Sequence, residues 1–530
     1  MLLSRALEET SRETKGVLLI ALLGGVWILL LGARSDVHLG DEPTHYILAS
    51  TIYETRGRPV YYPNIYTSPL AERPVGGEIL WHSLLAGTWW LWGARSAVLA
   101  QLYQVGWYIL LVLSTYLLAR TLYDKQVGLY SGFLVATMPM IAAYSIILYT
   151  DVPLVSLSLV CLLLLVKRRH LLAGIVLGLM ILTKRNAYLF MPSLLFCLLY
   201  SMKEIRSLKE LTAISFLKEA CKSLSVFILP AVLINLPDLY FRYTHFNTIL
   251  TPSSSLVPSY LNNVPVTFIH PESIAYYPSN ILKYPGIVMY LCLGLYLLRR
   301  QYCQKDAIPV AVILSYSLLF PLVIIGIYLK GYSLREAVEN LHNIINTNFS
   351  IRYLAPIFPM LAILAAKGLV TLKKEKLKKI IFSFCVLQML IGTLYVYQVR
   401  KLSPPLIKAY EYIRNSTPQD SRFISPYTDV ALHTRRGANW SSENNLPDLP
   451  YLFWRASPQE VEDILKEYGI THILVPRDMV WDDSAVKNLG KYPASFVARL
   501  QSFEFLEQIF SNEAVSIWAI RPSNSHKRVE

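Results

Sequence analysis

Three carboxylates set beside apolar segments are the residues of this chain whose chemistry most needs an account. Asp41 and Glu42 stand together in HLGDEPTHY, directly after the first long apolar run. An adjacent pair of this kind is either solvated loop charge or a general base with its neighbour. A carboxylate takes the proton of a hydroxyl as its oxygen attacks, the step required when a group on a sugar is displaced with inversion. Two carboxylates in unlike environments divide such roles. Asp151 stands in LYTDVPL, between two apolar runs. An acid so near hydrocarbon is expensive unless it faces a cavity or a partner. It reads as the start of the next helix, with Pro153 in the first turn, or as part of the same site, and the two readings are compatible.

A second group of residues is cationic. Arg73 follows SPLAE, Lys184 and Arg185 stand in LTKRNA, and Arg352 with Tyr353 stands in SIRYLAP. Each is either an interfacial anchor or a contact to an anionic group. Phosphate suits both the planar fork of Arg and the point charge of Lys. His38, His45, His82, His245 and His342 read as polar loop residues. No HExxH or other tight ligand spacing is present, so no metal ligands and no certain cofactor are assigned, and a divalent metal is left open.

The elements that must position these residues follow from composition. Of 530 residues, 54% are hydrophobic and only 16% charged, with 35 Tyr and 10 Trp. Soluble domains carry roughly 25% charged residues. The composition therefore fits a polytopic membrane protein rich in interfacial aromatics and excludes disordered, collagen-like and disulfide-scaffold classes. The net charge is +14, yet the last 130 residues hold 15 Lys and Arg against 16 Asp and Glu. The basic excess thus belongs to residues 1–400, in short loops between apolar runs. That is a signature of membrane topology rather than of nucleic-acid binding.

Apolar runs begin at 16–33, read as an uncleaved anchor, and recur at 97–119, 126–148, 152–166, 171–183, 187–201, 223–241, 284–298, 307–329, 354–371 and 380–397. The stretch 75–94 is ambiguous. If it does not cross, the basic clusters at 167–169, 203–222, 299–305 and 373–379 all fall on the side of the N-terminus, as the positive-inside rule prefers. The expectation is therefore about eleven spans, a cytoplasmic N-terminus, and a surface helix at 75–94 with Trp81, Trp89, Trp90 and Trp92 at headgroup depth. Asp41, Glu42 and Asp151 then share the outer side with long outer loops at 34–96, 242–283 and 330–353.

Beyond Pro404-Pro405 the pattern changes. LIKAYEYIRNST reads as a helix, SRFISPY as a strand, SPQEVEDILKEYG as a helix capped by Ser457, THILVPR as a strand, 484–501 as a helix and AVSIWAIRP as a strand. Alternating elements predict a small extracytoplasmic α/β domain over 401–530.

DEPTHY, SPLAERPVGG, YTDVPL, LGLMILTKRNA, IRYLAPIFPMLAILAAKGL and the tail phrase EYGITHILVP occur in an order that resembles the GT-C glycosyltransferase superfamily. The likeness is to the branch of protein O-mannosyltransferases and the lipid A aminoarabinose transferase. The resemblance implies an inverting enzyme of the cell membrane that moves a sugar from a polyprenyl- or dolichyl-phosphate carrier to an acceptor hydroxyl on a glycan, lipid or protein. It implies Asp41, with its neighbour Glu42, and Asp151 as the catalytic acids. It also implies Arg73, Lys184, Arg185, Arg352 and Tyr353 as contacts to the lipid phosphate, although the family's Lys-Pro-Pro is here Arg-Pro. An alpha-1,2-glucosyltransferase acting on dolichol-linked oligosaccharide, a transporter and a non-catalytic scaffold are the competing readings.

Overall fold

The computed structural model describes residues 12–38, 42–57, 60–61, 73–74, 79–202, 214–246, 286–299, 302–329, 355–427, 429–440, 457–481 and 492–521. The expected outer loops at 242–283 and 330–353 lie outside them, apart from residues 242–246. The helices before the tail are α1 (Arg12–Gly32), α2 (Glu42–Glu54), α3 (Ile79–Trp92), α4 (Ala97–Leu122), α5 (Lys125–Ala136), α6 (Pro139–Ile146), α7 (Asp151–Val166), α8 (His170–Thr183), α9 (Met191–Met202), α10 (Ile214–Phe246), α11 (Ile287–Leu298), α12 (Ala307–Leu329), α13 (Phe358–Val370) and α14 (Glu375–Val399). Strands β1 (Val60–Tyr61) and β2 (Arg73–Pro74) pair antiparallel between α2 and α3.

Among the described residues, four helices are long and apolar enough to cross a membrane, including α1, α4 and most of α10. The pair α5 and α6, bent by 53° at Thr137-Met138, makes a fifth if counted as one broken span. Helices such as α7, with 16 residues, are apolar but shorter. At 1.5 Å per residue, 16 residues rise about 24 Å, less than the roughly 30 Å of a hydrocarbon core. Large apolar side chains point outward along single helix faces. Leu19, Leu22, Leu23, Val26 and Leu30 do so on α1, and Ile380, Phe384, Leu387 and Ile391 on α14. Their spacing of three and four residues makes continuous apolar stripes, the surface a bilayer covers.

Helix α3 corrects one expectation. Its Trp81, Leu85 and Trp89 repeat every four residues and are buried against α2 and α4. Trp81 donates to Gln104 Oε1 at 3.3 Å, and Trp89 donates to the Ser96 carbonyl at 3.0 Å. Only Trp90 and Trp92, 46% and 71% exposed, sit on the outer face where headgroups could meet them. The aromatic cluster is divided by helical periodicity: half of it is core and half is surface.

The tail begins with α15 (Pro404–Ser416), opened by its two prolines. It continues through β3 (Arg422–Ser425), α16 (Val430–Thr434), β4 (Gly437–Trp440), α17 (Pro458–Glu467), β5 (His472–Pro476), β6 (Val480–Trp481), β7 (Tyr492–Pro493), α18 (Ala494–Arg499), β8 (Leu506–Ser511) and β9 (Val515–Ile520). Five strands form one sheet in the order β4-β3-β5-β9-β8, parallel from β4 to β5 and antiparallel beyond. Ser457 and Glu460 close a reciprocal capping box at the start of α17. The helix expected over 484–501 is shorter: within the described residues it is α18, and strands β4 and β8 were not anticipated. Apolar clusters cover both faces of the sheet, one beneath α17 and α18 and the other beneath α15.

Candidate active site

Glu42 is the first residue of α2, where a carboxylate is favoured by the unpaired amides of the helix start. It is fully buried. Its Oε1 accepts from the backbone amide of Leu148 at 2.9 Å, a contact spanning 106 residues of sequence. Arg400, just past α14, donates from Nε to Oε2 at 3.0 Å and from Nη2 to Oε1 at 2.5 Å. The same guanidinium donates to Ser35 Oγ at 2.5 Å, beyond the end of α1. A single buried fork therefore ties together the end of α1, the start of α2 and the end of α14. The sequence carries no local signal for Arg400, because its partner lies 358 residues away.

Asp151 opens α7 and is also buried. Lys184, at the end of α8, donates from Nζ to both carboxylate oxygens at 3.0 Å. The turn from Leu148 to Asp151 thus presents its first amide to Glu42 and its last side chain to Lys184. The two carboxylates reach one end of the helical bundle from distant parts of the chain. Each has a cation from yet another helix end.

Two histidines read as loop residues belong to this cluster. His45, one turn after Glu42 on α2, meets His82 of α3 at 3.1 Å, Nδ1 to Nε2, and both rings are buried. The contact requires one ring nitrogen to donate and the other to accept. The ring of Tyr149 lies 5.9 Å from that of His45, edge to face. A signal for this pair was present in sequence, since His45 falls on the same helical face as Glu42, three residues on.

Asp41 lies outside the described residues, immediately before α2 in sequence. The backbone of Arg73 forms β2 against Tyr61, and that of Arg185 begins a short 3-10 turn directly after Lys184. Arg352 and Tyr353 lie outside the described residues. Among the described residues no group of three His, Cys, Asp or Glu side chains gathers as metal ligands do.

The segment after α1 also reaches the tail sheet. Leu402 donates its amide to Asp36 Oδ2 at 2.9 Å, and His433 Nε2 donates to the Val37 carbonyl at 3.1 Å. His38 Nδ1 lies 2.6 Å from Asp429 Oδ2, while Tyr410 donates to Asp429 Oδ1 at 2.9 Å. Burial disfavours a charged His38 ring. The hydrogen bond to Asp429 and the fields of Asp429, Glu42 and Asp36 outweigh it and raise the pKa above 6.5.

The fold has counterparts of known structure. The chain superimposes on ArnT from Cupriavidus metallidurans bound to undecaprenyl phosphate with a TM-score of 0.62 at 12% identity, covering 96% of this chain and 98% of that one. The two chains share a fold. The apo oligosaccharyltransferase of Archaeoglobus fulgidus gives a TM-score of 0.54 at 15% identity, over 88% of this chain and 70% of that one. The same archaeal enzyme in complex with an inhibitory peptide and a dolichol-phosphate gives 0.51 at 14% identity, over 88% and 69%. Residues 84–232 match the family model described as dolichyl-phosphate-mannose-protein mannosyltransferase. That segment runs from α3 into α10 and contains both Asp151 and Lys184. No curated protein matches the chain significantly in sequence.

Proposed function

We propose that the protein is an inverting glycosyltransferase that takes a sugar from a polyprenyl-phosphate or dolichyl-phosphate carrier and places it on an acceptor hydroxyl. Residues 1–400 form its membrane-embedded catalytic part, with the N-terminus cytoplasmic. Residues 401–530 form an extracytoplasmic α/β domain over the outer face of the cell membrane. The observation that carries the reading is the convergence of Glu42 and Asp151 at one end of an apolar bundle, each beside a buried cation. The domain-bearing side of the bundle also meets the segment that precedes Asp41.

In this reading Asp41 is the base that accepts the proton of the attacking hydroxyl. Glu42 is occupied by Arg400 and Leu148 and acts as the anchor that fixes the start of α2 beside it. The leaving group is a phosphate monoester, already a stable anion, so it needs nearby positive charge rather than a strong acid. Lys184, oriented by Asp151, and Arg185, Arg73, Arg352 and Tyr353 are the residues proposed to meet that phosphate. A carrier lipid can approach laterally between helices while its phosphate stays at the interface. The acceptor is a glycan, a lipid or a protein.

The test follows release of free polyprenyl phosphate by the purified protein in lipid, with a panel of polyprenyl-phosphate sugars. Asp41→Asn should lower release by about 10²–10⁴-fold, the usual contribution of general-base catalysis. Release unchanged by the substitution would keep the transferase and move its base elsewhere. No release from a folded protein supplied with any donor and candidate acceptors would favour transport or scaffolding.

A further inference from the structure

Helix α2 runs from the Glu42 ion pair into a cleft of about 570 Å³ between itself and the tail sheet. Ile47 and Ser50 of α2 form one wall, and Gln419, Arg422, Arg435 and Arg436 form the other. Arg95 and Arg436, with their partners, explain the field inside. Arg95 at the rim is neutralised by Glu54 at 2.6 Å. Arg436 is not neutralised by any acid among the described residues. Its guanidinium is buried and donates to Gln419 Oε1 at 2.7 Å and to the carbonyls of Arg414 and Thr417 at 2.7 and 2.8 Å. Its hydrogen bonds are satisfied by neutral groups, so its charge projects into the cleft.

Arg422 and Arg435 are lining residues of the cleft, and among the described residues neither guanidinium makes a hydrogen bond or ion pair; Arg422 Nη1 lies 3.6 Å from where a Cβ on Gly469 would stand. Arg435 ends α16 with φ 58° and ψ 32°, a left-handed conformation that glycine adopts more easily. A long cation therefore occupies a position whose backbone favours glycine. Asp420 adds a carboxylate to the same lining. The combination is a basic cleft with an amide, a hydroxyl and an acid, of a volume typical of small-ligand sites.

We propose that this cleft holds an acidic carbohydrate, a sugar or short glycan bearing a carboxylate or a phosphate, as the acceptor of the transfer reaction. Arg422 and Arg435 take its anionic group as forked donors. Ser50, Gln419 and Asp420 meet its hydroxyls. The first lining residue on α2, Ile47, stands five residues from Glu42, a rise of about 7.5 Å, so a short glycan seated in the cleft can extend toward the start of the helix. The inference rests on the glycosyltransferase reading for the acceptor's role, but not for binding itself.

The test measures binding of glucuronate, glucose 6-phosphate, glucose and a tetra-aspartate peptide to the full-length protein in lipid nanodiscs, without donor. Both acidic sugars should bind at one mutually exclusive site, at least about tenfold tighter than glucose, the gain from one charge-assisted contact. Arg422→Gln and Arg435→Gly should each weaken them by about tenfold. Arg435→Gly suits the left-handed backbone, so its unfolding temperature should not fall, which separates lost binding from lost folding. Equal binding of acidic sugars and glucose, or affinity indifferent to both substitutions, overturns the proposal. Tighter binding of the peptide than of either sugar overturns the carbohydrate class. Donor turnover by the native protein with no preference for acidic sugars removes this inference and leaves the enzyme. Arginine-dependent sugar binding with no donor turnover removes the acceptor role and the enzyme together, leaving a binding cleft.

Discussion

Arg400 and Glu42 have side chains with 1% and 0% of their surface exposed, and neither is tolerable there alone. Removing one member of a buried pair strands the other charge, at a cost of about 3–5 kcal/mol. Arg400→Gln should therefore lower the unfolding temperature of the purified protein sharply. Replacing the pair together, Glu42→Met with Arg400→Leu, should recover much of the loss, since well-packed apolar groups often match a buried ion pair. If the double variant is as unstable as the sum of the singles, the fork is not the interaction that matters. Glu42 and Asp151 were legible in sequence as candidate site residues because charge next to hydrocarbon is conspicuous. Their partners were only half legible. Lys184 stood out as a cation in an apolar run, whereas Arg400 sits in the polar stretch after α14, where one more arginine signals nothing. Pairing across 358 residues is a property of the packed molecule.

At the level of elements, the tightest approach of a described glycine to a neighbouring backbone joins α8 and α10. A Cβ on Gly174 would lie 2.1 Å from the Phe227 carbonyl oxygen, and one on Gly178 would lie 3.1 Å from the Ala231 Cα. The two glycines are four residues apart on one face, the spacing that lets helices meet closely in a membrane. Gly174→Val should force α8 away from α10 and carry Lys184, at the end of α8, off Asp151. The expected result is a lower unfolding temperature together with weaker donor turnover. Gly294→Ala on α11, where an added Cβ meets nothing within 4 Å, serves as the control and should change neither. Hydropathy alone located these apolar helices, because each apolar run is a local property of the chain. It could not say which glycines touch a neighbour. It also treated the tryptophans of α3 as one interfacial group, whereas their fourfold spacing divides Trp81 and Trp89 from Trp90 and Trp92. In the tail, the helix–strand alternation was readable, but short strands such as β4 carry too few residues for a period of two to show.

For the whole molecule, the contact between the helical bundle and the tail sheet depends on a buried charge. Asp429 is 1% exposed and faces His38 at 2.6 Å, His433 at 3.6 Å and the Tyr410 hydroxyl at 2.9 Å, with Asp36 and Glu42 adding negative field around His38. The folded protein holds a proton on His38 more tightly than the unfolded chain does. That contribution to stability is complete below about pH 6.5 and is lost as pH rises through the raised folded value. His472, buried in β5, acts in the opposite sense. Burial pushes its pKa down to about 4, so folding opposes its protonation and stability falls as pH drops from 6.5 toward 4. The two windows do not overlap, and stability should peak between them, near pH 6.5. Thermal unfolding of the purified protein at pH 5 to 9 reads both limbs. His38→Gln should flatten the alkaline limb and leave the acid limb intact, because Gln keeps a donor toward Asp429 but binds no proton. His472→Gln should do the reverse. An alkaline limb that survives His38→Gln would assign it to another group and remove the charged His38–Asp429 contact as the link between bundle and sheet.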